Sequence, residues 1–146
     1  MGTVQKSLRI PGETQRAIEE LAAELGLDFS AAANQLLEEA VRTRRCPGIV
    51  FTSGPSGRRA TVAGTGVDVW EIIATYRGLG EDQGRLRKAY HWLTEPQLRA
   101  ALAYVELYPG EIEARIKRNE SWSQTSLRAR HPALGVRQSA RSTRRR

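Results

Sequence analysis

The sequence predicts a mainly α-helical chain in two small domains, with one short strand near residue 5 and one β-hairpin near residue 55. Three observations carry that expectation. Apolar residues recur at the i, i+3, i+4, i+7 spacing of amphipathic helices through most of residues 11–118. Only three short stretches have the alternation and turn boundaries of strands. Pro47-Gly48 breaks the chain between two periodic blocks, which divides the 146 residues into two small domains rather than one.

The first strand is Val4-Gln5-Lys6-Ser7-Leu8-Arg9-Ile10, closed by Pro11. Alternation places Gln5, Ser7 and Arg9 on one surface and Val4, Lys6, Leu8 and Ile10 on the other. One face is built of hydrogen-bonding groups. The other is apolar apart from Lys6, whose stem has to reach past the strand edge. No hairpin partner follows before Pro11, and a lone strand does not stand in water. Its expected partner is the same strand of a second copy.

Two helices are expected next. The first begins at Pro11 and carries Ala17, Ile18, Leu21, Ala22 and Leu25 on one side, with Glu13 near the positive end of the dipole. Gly26 is its stop, because glycine takes the left-handed conformation without steric cost. Asp28 caps a second helix that repeats the pattern at Phe29, Ala33, Leu36, Leu37, Ala40 and Val41, and Arg42, Arg44 and Arg45 suit its negative end. Leu8, Ile10, Ile18, Leu21, Leu36 and Leu37 make too little core for one chain. A two-fold homodimer, with two antiparallel strands over four helices, supplies the rest.

With these residues in view, positions 1–46 resemble the ribbon-helix-helix DNA-binding family of the MetJ and Arc type. Gln5, Ser7 and Arg9 on the strand, Leu8 and Ile10 behind it, Pro11 at the first helix and Gly26 between the helices carry the resemblance. It implies that the paired strands enter the major groove of double-stranded DNA, with Gln5, Ser7 and Arg9 at base edges. Lys6 then lies at the groove wall or among phosphates, and the amides opening the second helix at Asp28, Phe29 and Ser30 receive a backbone phosphate. Many relatives carry a neutral serine or threonine there, so the Asp28 carboxylate predicts a modest affinity. An ordinary dimerisation strand with incidental polar residues is the bland alternative.

Composition narrows the setting. An apolar fraction of 40% allows packed cores, and a single cysteine, Cys46, excludes an internal disulfide and suits an inert thiol in a reducing compartment. With no secretory segment and no apolar run of membrane length, the expectation is a cytoplasmic protein with no membrane partner. The formal charge is +7, but seven arginines and no acid lie from Ser121 onward, which leaves 16 basic against 16 acidic residues before it. Residues 119–146 are therefore expected to form a flexible basic tail, either a phosphate-attracting arm or a solubilising terminus.

Residues 47–118 form the expected second domain. Strands at 49–53 and 58–62 flank the turn Gly54-Pro55-Ser56-Gly57. Helices are expected at 67–76, 82–92, 94–107 and 109–118, with Thr94 and Gln97 at capping-box spacing. The third of them should bury Leu98, Ala101, Leu102 and Val105.

Gly64-Thr65, Val69-Trp70-Glu71-Ile72-Ile73, Tyr90, Leu93-Thr94 and the run from Gln97 to Tyr104 give this block a likeness to a small helical family of unknown function, number four-three-three, seen in bacterial antitoxins. That family commonly has an arginine and a proline after Gly-Thr, where this chain has Gly66 and Asp68. The resemblance implies a protein toxin as partner, similar to a PIN-domain ribonuclease, because the family is often encoded beside such genes.

Two uses of the second domain stay open. As a helix-turn-helix-like reader it offers Gln97 and Arg99 to bases and Arg58, Arg59, Arg85, Arg87 and Lys88 to phosphates, against repulsion from Glu95 and Glu106. As a protein-binding surface it offers Trp70, Tyr76, Trp92, Tyr104 and Tyr108. Catalysis is not expected, since no nucleophile with its base is visible and the glycine-rich loops match no phosphate or dinucleotide fingerprint. His91 and His131 lack the neighbours of a metal site, so neither metal nor cofactor is expected. The expected function is a DNA-binding transcriptional repressor, the antitoxin of a toxin-antitoxin pair that autoregulates its operon and neutralises a PIN-like ribonuclease. The alternatives are a stand-alone ribbon-helix-helix regulator whose second domain extends DNA binding or mediates higher-order assembly, and a pure interaction module.

Overall fold

The computed structural model of the chain describes residues 2–130. Helices dominate, and among the described residues the only sheet is one antiparallel hairpin. The chain divides into two compact units, Met1–Pro47 and Gly48–Arg146. Among the described residues, no helix is long and apolar enough to cross a membrane.

The first unit is a helix pair. Its leading helix, α1 (Gly12–Leu25), follows Pro11 and ends at Gly26, whose φ of 66° is the left-handed stop its sequence position calls for. Leu27 N–H closes that end on the Ala22 carbonyl at 2.9 Å. The second helix, α2 (Phe29–Arg45), is capped by Asp28, whose carboxylate accepts from Ala31 N–H at 2.8 Å. Arg42, Arg44 and Arg45 occupy its last turn, and Arg42 also meets Glu38 one turn back at 2.6 Å. Among the described residues of this unit only Ala22, Ala32 and Cys46 are buried. Leu21, Leu25, Leu37 and Val41 remain exposed, so one chain does not cover the apolar face that periodicity gives these helices. Burial pushes the Cys46 thiol above its ordinary range, against the pull of Arg45, which keeps it protonated and a poor nucleophile at neutral pH.

Residues 4–10, expected as a strand, belong to no strand within the single chain. Among the described residues nothing pairs with them, and strand geometry without a ladder has no hydrogen bonds to hold it. Residues 2–9 are exposed along their whole length.

The second unit opens with β1 (Ile49–Gly54) and β2 (Gly57–Val62), paired so that Ile49 faces Val62 and Gly54 faces Gly57. The reversal is two residues, Pro55-Ser56, tighter than the four expected, with Gly57 at φ 90° to turn the chain. Helices α3 (Val69–Gly78), α4 (Gln83–Ala89), α5 (Glu95–Leu107) and α6 (Pro109–Arg130) follow. Of these α3 is the hub, touching β2, α4, α5 and α6. Its Val69, Ile72 and Ile73 are buried beside Ile49, Val62, Leu86, Leu98 and Ile112, each full burial contributing roughly 1.5–3 kcal/mol.

Three expectations are corrected. On α5 the buried residues are Leu98, Ala101 and Tyr104, while Leu102 and Val105 are half-buried, because the aromatic ring takes the core position beside Phe51 and Tyr108. Helix α4 stops at Ala89, seven residues long, since Tyr90, His91 and Trp92 form a turn that brings their rings together. Helix α6 runs to Arg130 instead of ending at 118, so the first part of the stretch expected to be a flexible tail is helical. Its first half is packed, with Ile112 buried, and the helix then continues through residues 117–126, all of them exposed. Residues 131–146 of the expected tail, with His131, lie outside the described residues.

Candidate functional site

In the first unit, Gln5, Lys6, Ser7 and Arg9 are all exposed, and so are Val4 and Leu8 on the alternate positions, at 75% and 66%. Polar and apolar faces are therefore equally open to water in one chain. Leaving Leu8 there forgoes the burial that a covered leucine would contribute. Asp28, Phe29 and Ser30 stand together at the start of α2. The Asp28 carboxylate already occupies one of the free amides of that end, Ala31 N–H, and places a negative charge where an anion would approach.

The basic residues of the second unit separate into engaged and open sets. Arg59 is engaged: its Nε donates to Asp68 at 2.9 Å, and its guanidinium lies where a side chain on Gly54 would stand. Arg58 donates to the Ser53 hydroxyl at 3.0 Å. Gln97, expected as a base reader, is held in the capping box, its Oε1 accepting from Thr94 N–H at 2.8 Å. Arg85, Arg87, Arg99 and Lys88 are exposed. The three arginines meet Asp82 and Glu95 at 3.8–3.9 Å in exposed pairs that hold the side chains only weakly. Backbone hydrogen bonding from Arg85 N–H lowers the Asp82 carboxyl below its usual range, so it stays charged on this face. The α4–α5 surface thus mixes both signs of charge.

The most organised polar cluster centres on Asp68, a buried carboxylate ahead of α3. It accepts from Arg59 Nε at 2.9 Å, Thr61 Oγ1 at 3.2 Å and Trp70 Nε1 at 3.1 Å. Its own N–H donates to the Glu71 carboxylate at 3.4 Å, which starts the helix. Hairpin and α3 are joined through this one side chain, and the Trp70 indole is fixed in orientation. A second tie crosses the unit. Arg115 of α6 donates to the Ser56 carbonyl at 3.0 Å, to the Ser56 hydroxyl at 2.8 Å and to the Arg58 carbonyl, so the hairpin turn is clamped to the helix. Farther along, Arg77 of α3 meets Glu113 at 2.5 Å, and this hydrogen bond lowers the Glu113 carboxyl and raises the Arg77 guanidinium.

Between those ties lies an open groove of about 500 Å³, walled by Trp70 and Pro55 on one side and by Arg115, Arg118, Asn119 and Trp122 of α6 on the other. The four α6 residues follow i, i+3, i+4, i+7 and so form one helix face. Of them the sequence singled out none. Trp70 is among the expected interface residues; on the other wall Arg115 and Arg118 fall inside the expected helix 109–118, whereas Asn119 and Trp122 lie beyond its expected end. Tyr104, expected at an interface, is fully buried, with its hydroxyl donating to Glu111 at 2.7 Å. Among the described residues, no group of three or more histidine, cysteine or acidic side chains is arranged to hold a metal ion.

Residues 49–105 match the family model described as "Protein of unknown function (DUF433)". The match begins at β1 and ends within α5, and it covers every residue on which the likeness of the second domain rests, from Gly64 to Tyr104. No curated protein and no solved structure matches the chain.

Proposed function

We propose that the protein is a dimeric, sequence-specific DNA-binding repressor of the ribbon-helix-helix type, and that its second unit serves a protein partner, a toxin similar to a PIN-domain ribonuclease. One observation supports the DNA-binding half most directly. A strand-length segment with alternating polar residues lies unpaired in front of a helix pair whose Leu21, Leu25 and Leu37 are exposed. Pairing two copies of residues 4–10 would satisfy the backbone of both strands and cover Leu8, Leu37 and Val41 together, while leaving Gln5, Ser7 and Arg9 outward. The two-stranded ribbon so formed has the width that the major groove admits.

The protein-binding half is supported by what the second unit does with its polar groups. Gln97 caps α5, Arg59 serves Asp68, and the remaining arginines are interspersed with Asp82 and Glu95. A phosphate backbone would meet repulsion as well as attraction there, whereas mixed charge suits a protein surface.

The reading is tested by replacing the base readers singly. Arg9→Ala and Gln5→Ala should each cost about 1–3 kcal/mol in operator affinity, a roughly 5- to 150-fold rise in Kd, with relaxed preference at particular base pairs. Both side chains are exposed, so circular dichroism should be unchanged. Fluorescence anisotropy on the duplex upstream of the coding region reads the effect. Parent-like binding by both variants would rule out the ribbon as reader.

A further inference from the structure

We infer that the groove between Trp70 and Trp122 is a docking site for a short acidic segment of a partner protein, one that places a large apolar side chain between the two indoles and a carboxylate against Arg118. This deepens the protein-binding half of the proposed function and rests on it. The Trp70 wall is preorganised: Asp68 holds the indole by its N–H at 3.1 Å, and Arg115 pins the adjoining hairpin turn to α6. Rigid aromatic walls lose little entropy when an apolar side chain enters.

The far side of the groove is unfinished in one chain. Trp122 is 71% exposed, a large apolar side chain left open to water on the outer turns of α6. That face continues past the groove as Thr125, Ser126 and Ala129, small residues that let another backbone approach closely. Helical turns with no packing partner are marginal in water, and a partner along this stripe supplies the missing contact.

Charge selects the occupant. The charged groups lining the groove are Arg115 and Arg118, with no carboxylate among the lining residues. Arg115 is engaged with the hairpin carbonyls, whereas Arg118 has no ion pair among the described residues and its side chain is exposed. A guanidinium beside indoles is the arrangement of an anchor pocket for a segment that is both apolar and acidic. Single-stranded nucleic acid would also stack on tryptophan, but it needs a continuous positive track. Here Glu120 stands exposed next to Asn119, and the stripe beyond Trp122 is uncharged through Thr125, Ser126 and Ala129.

The test uses the full chain carrying Trp92→Phe, which leaves Trp70 and Trp122 as the fluorescent reporters. A synthetic peptide of alternating glutamate and phenylalanine should shift their emission saturably. The same peptide with lysine for glutamate should bind at least roughly tenfold more weakly, as should the acidic peptide to Arg118→Glu or Trp122→Ala protein. Both positions are exposed, so circular dichroism and elution volume should match the parent. Equal binding of the two peptides, no saturable binding of the acidic one, parent-like binding by both variants, or tighter binding of oligothymidylate than of the acidic peptide would each overturn the inference. The two proposals fail separately, since Arg9→Ala should lose operator affinity and keep peptide binding, and Arg118→Glu should do the reverse.

Discussion

Replacing Leu37 with aspartate should separate the protein into monomers and melt its first unit. In a single chain this side chain is 57% exposed in the middle of α2, where a polar substitution would change stability by only about 0.5 kcal/mol. In the proposed dimer the same position is buried against the partner copy. Each protomer then loses roughly 1.5–3 kcal/mol of leucine burial and must desolvate a carboxylate with no hydrogen-bond donor beside it. Two copies per dimer double the effect, so the dimer dissociation constant should rise by at least about 100-fold, a change of roughly 3 kcal/mol. Since Ala22, Ala32 and Cys46 are the only buried residues among those described in this unit, the released helices have little to hold them together. Sedimentation velocity with circular dichroism reads both effects. A variant with the parent's sedimentation coefficient and helicity would show that Leu37 faces water.

Asp68→Ala should strongly destabilise the second unit. It removes the shared acceptor of Arg59, Thr61 and Trp70, and with it the polar tie between the hairpin and α3. Thr61 is buried and its hydroxyl also faces Thr52 at 2.8 Å, so it keeps one partner. The Trp70 N–H and the Arg59 guanidinium do not fare as well. Deleting one partner of a buried charge pair typically costs 3–5 kcal/mol, and the partial exposure of Arg59, at 30%, reduces that to about 2–4 kcal/mol. For a domain of this size the thermal midpoint should fall by on the order of 10–20 °C. Asp68→Asn should cost less, because the amide oxygen still accepts from Trp70 or Thr61 while the charge opposite Arg59 is lost. Thermal unfolding followed by tryptophan emission ranks the three proteins. Equal midpoints for parent and alanine variant would mean that the cluster contributes nothing to stability.

The legible part of this fold is the part written in local punctuation. Gly26 and Asp28 mark the end of α1 and the cap of α2 because left-handed backbone and amide capping each demand particular residue types. Thr94 and Gln97 announce α5 by the same logic, and the two glycines around Pro55-Ser56 place the hairpin. The groove was illegible for a physical reason. The stretch 119–130 has no apolar periodicity and many serines and arginines, so nothing local predicts that the packed first half of α6 carries the helix onward to hold Trp122. Asp68 was likewise seen only as a departure from a family pattern. Its partners lie nine, seven and two residues away on a strand and a helix, and only the folded hairpin brings Arg59, Thr61 and Trp70 to one carboxylate. Gln97 misled in the opposite direction, since a donor-acceptor amide suits adenine and a capping box equally, and the local use came first.

The central claim is that two chains together read a DNA sequence through residues 4–10, and titration of the upstream duplex against a scrambled duplex of equal length, by anisotropy across a salt series, tests it most directly. The account predicts saturation at an even number of chains per site, a preference for the upstream duplex of at least about 10³, and affinity that falls as salt rises. Equal affinity for both duplexes at every salt concentration, or saturation at one chain per site, would contradict it.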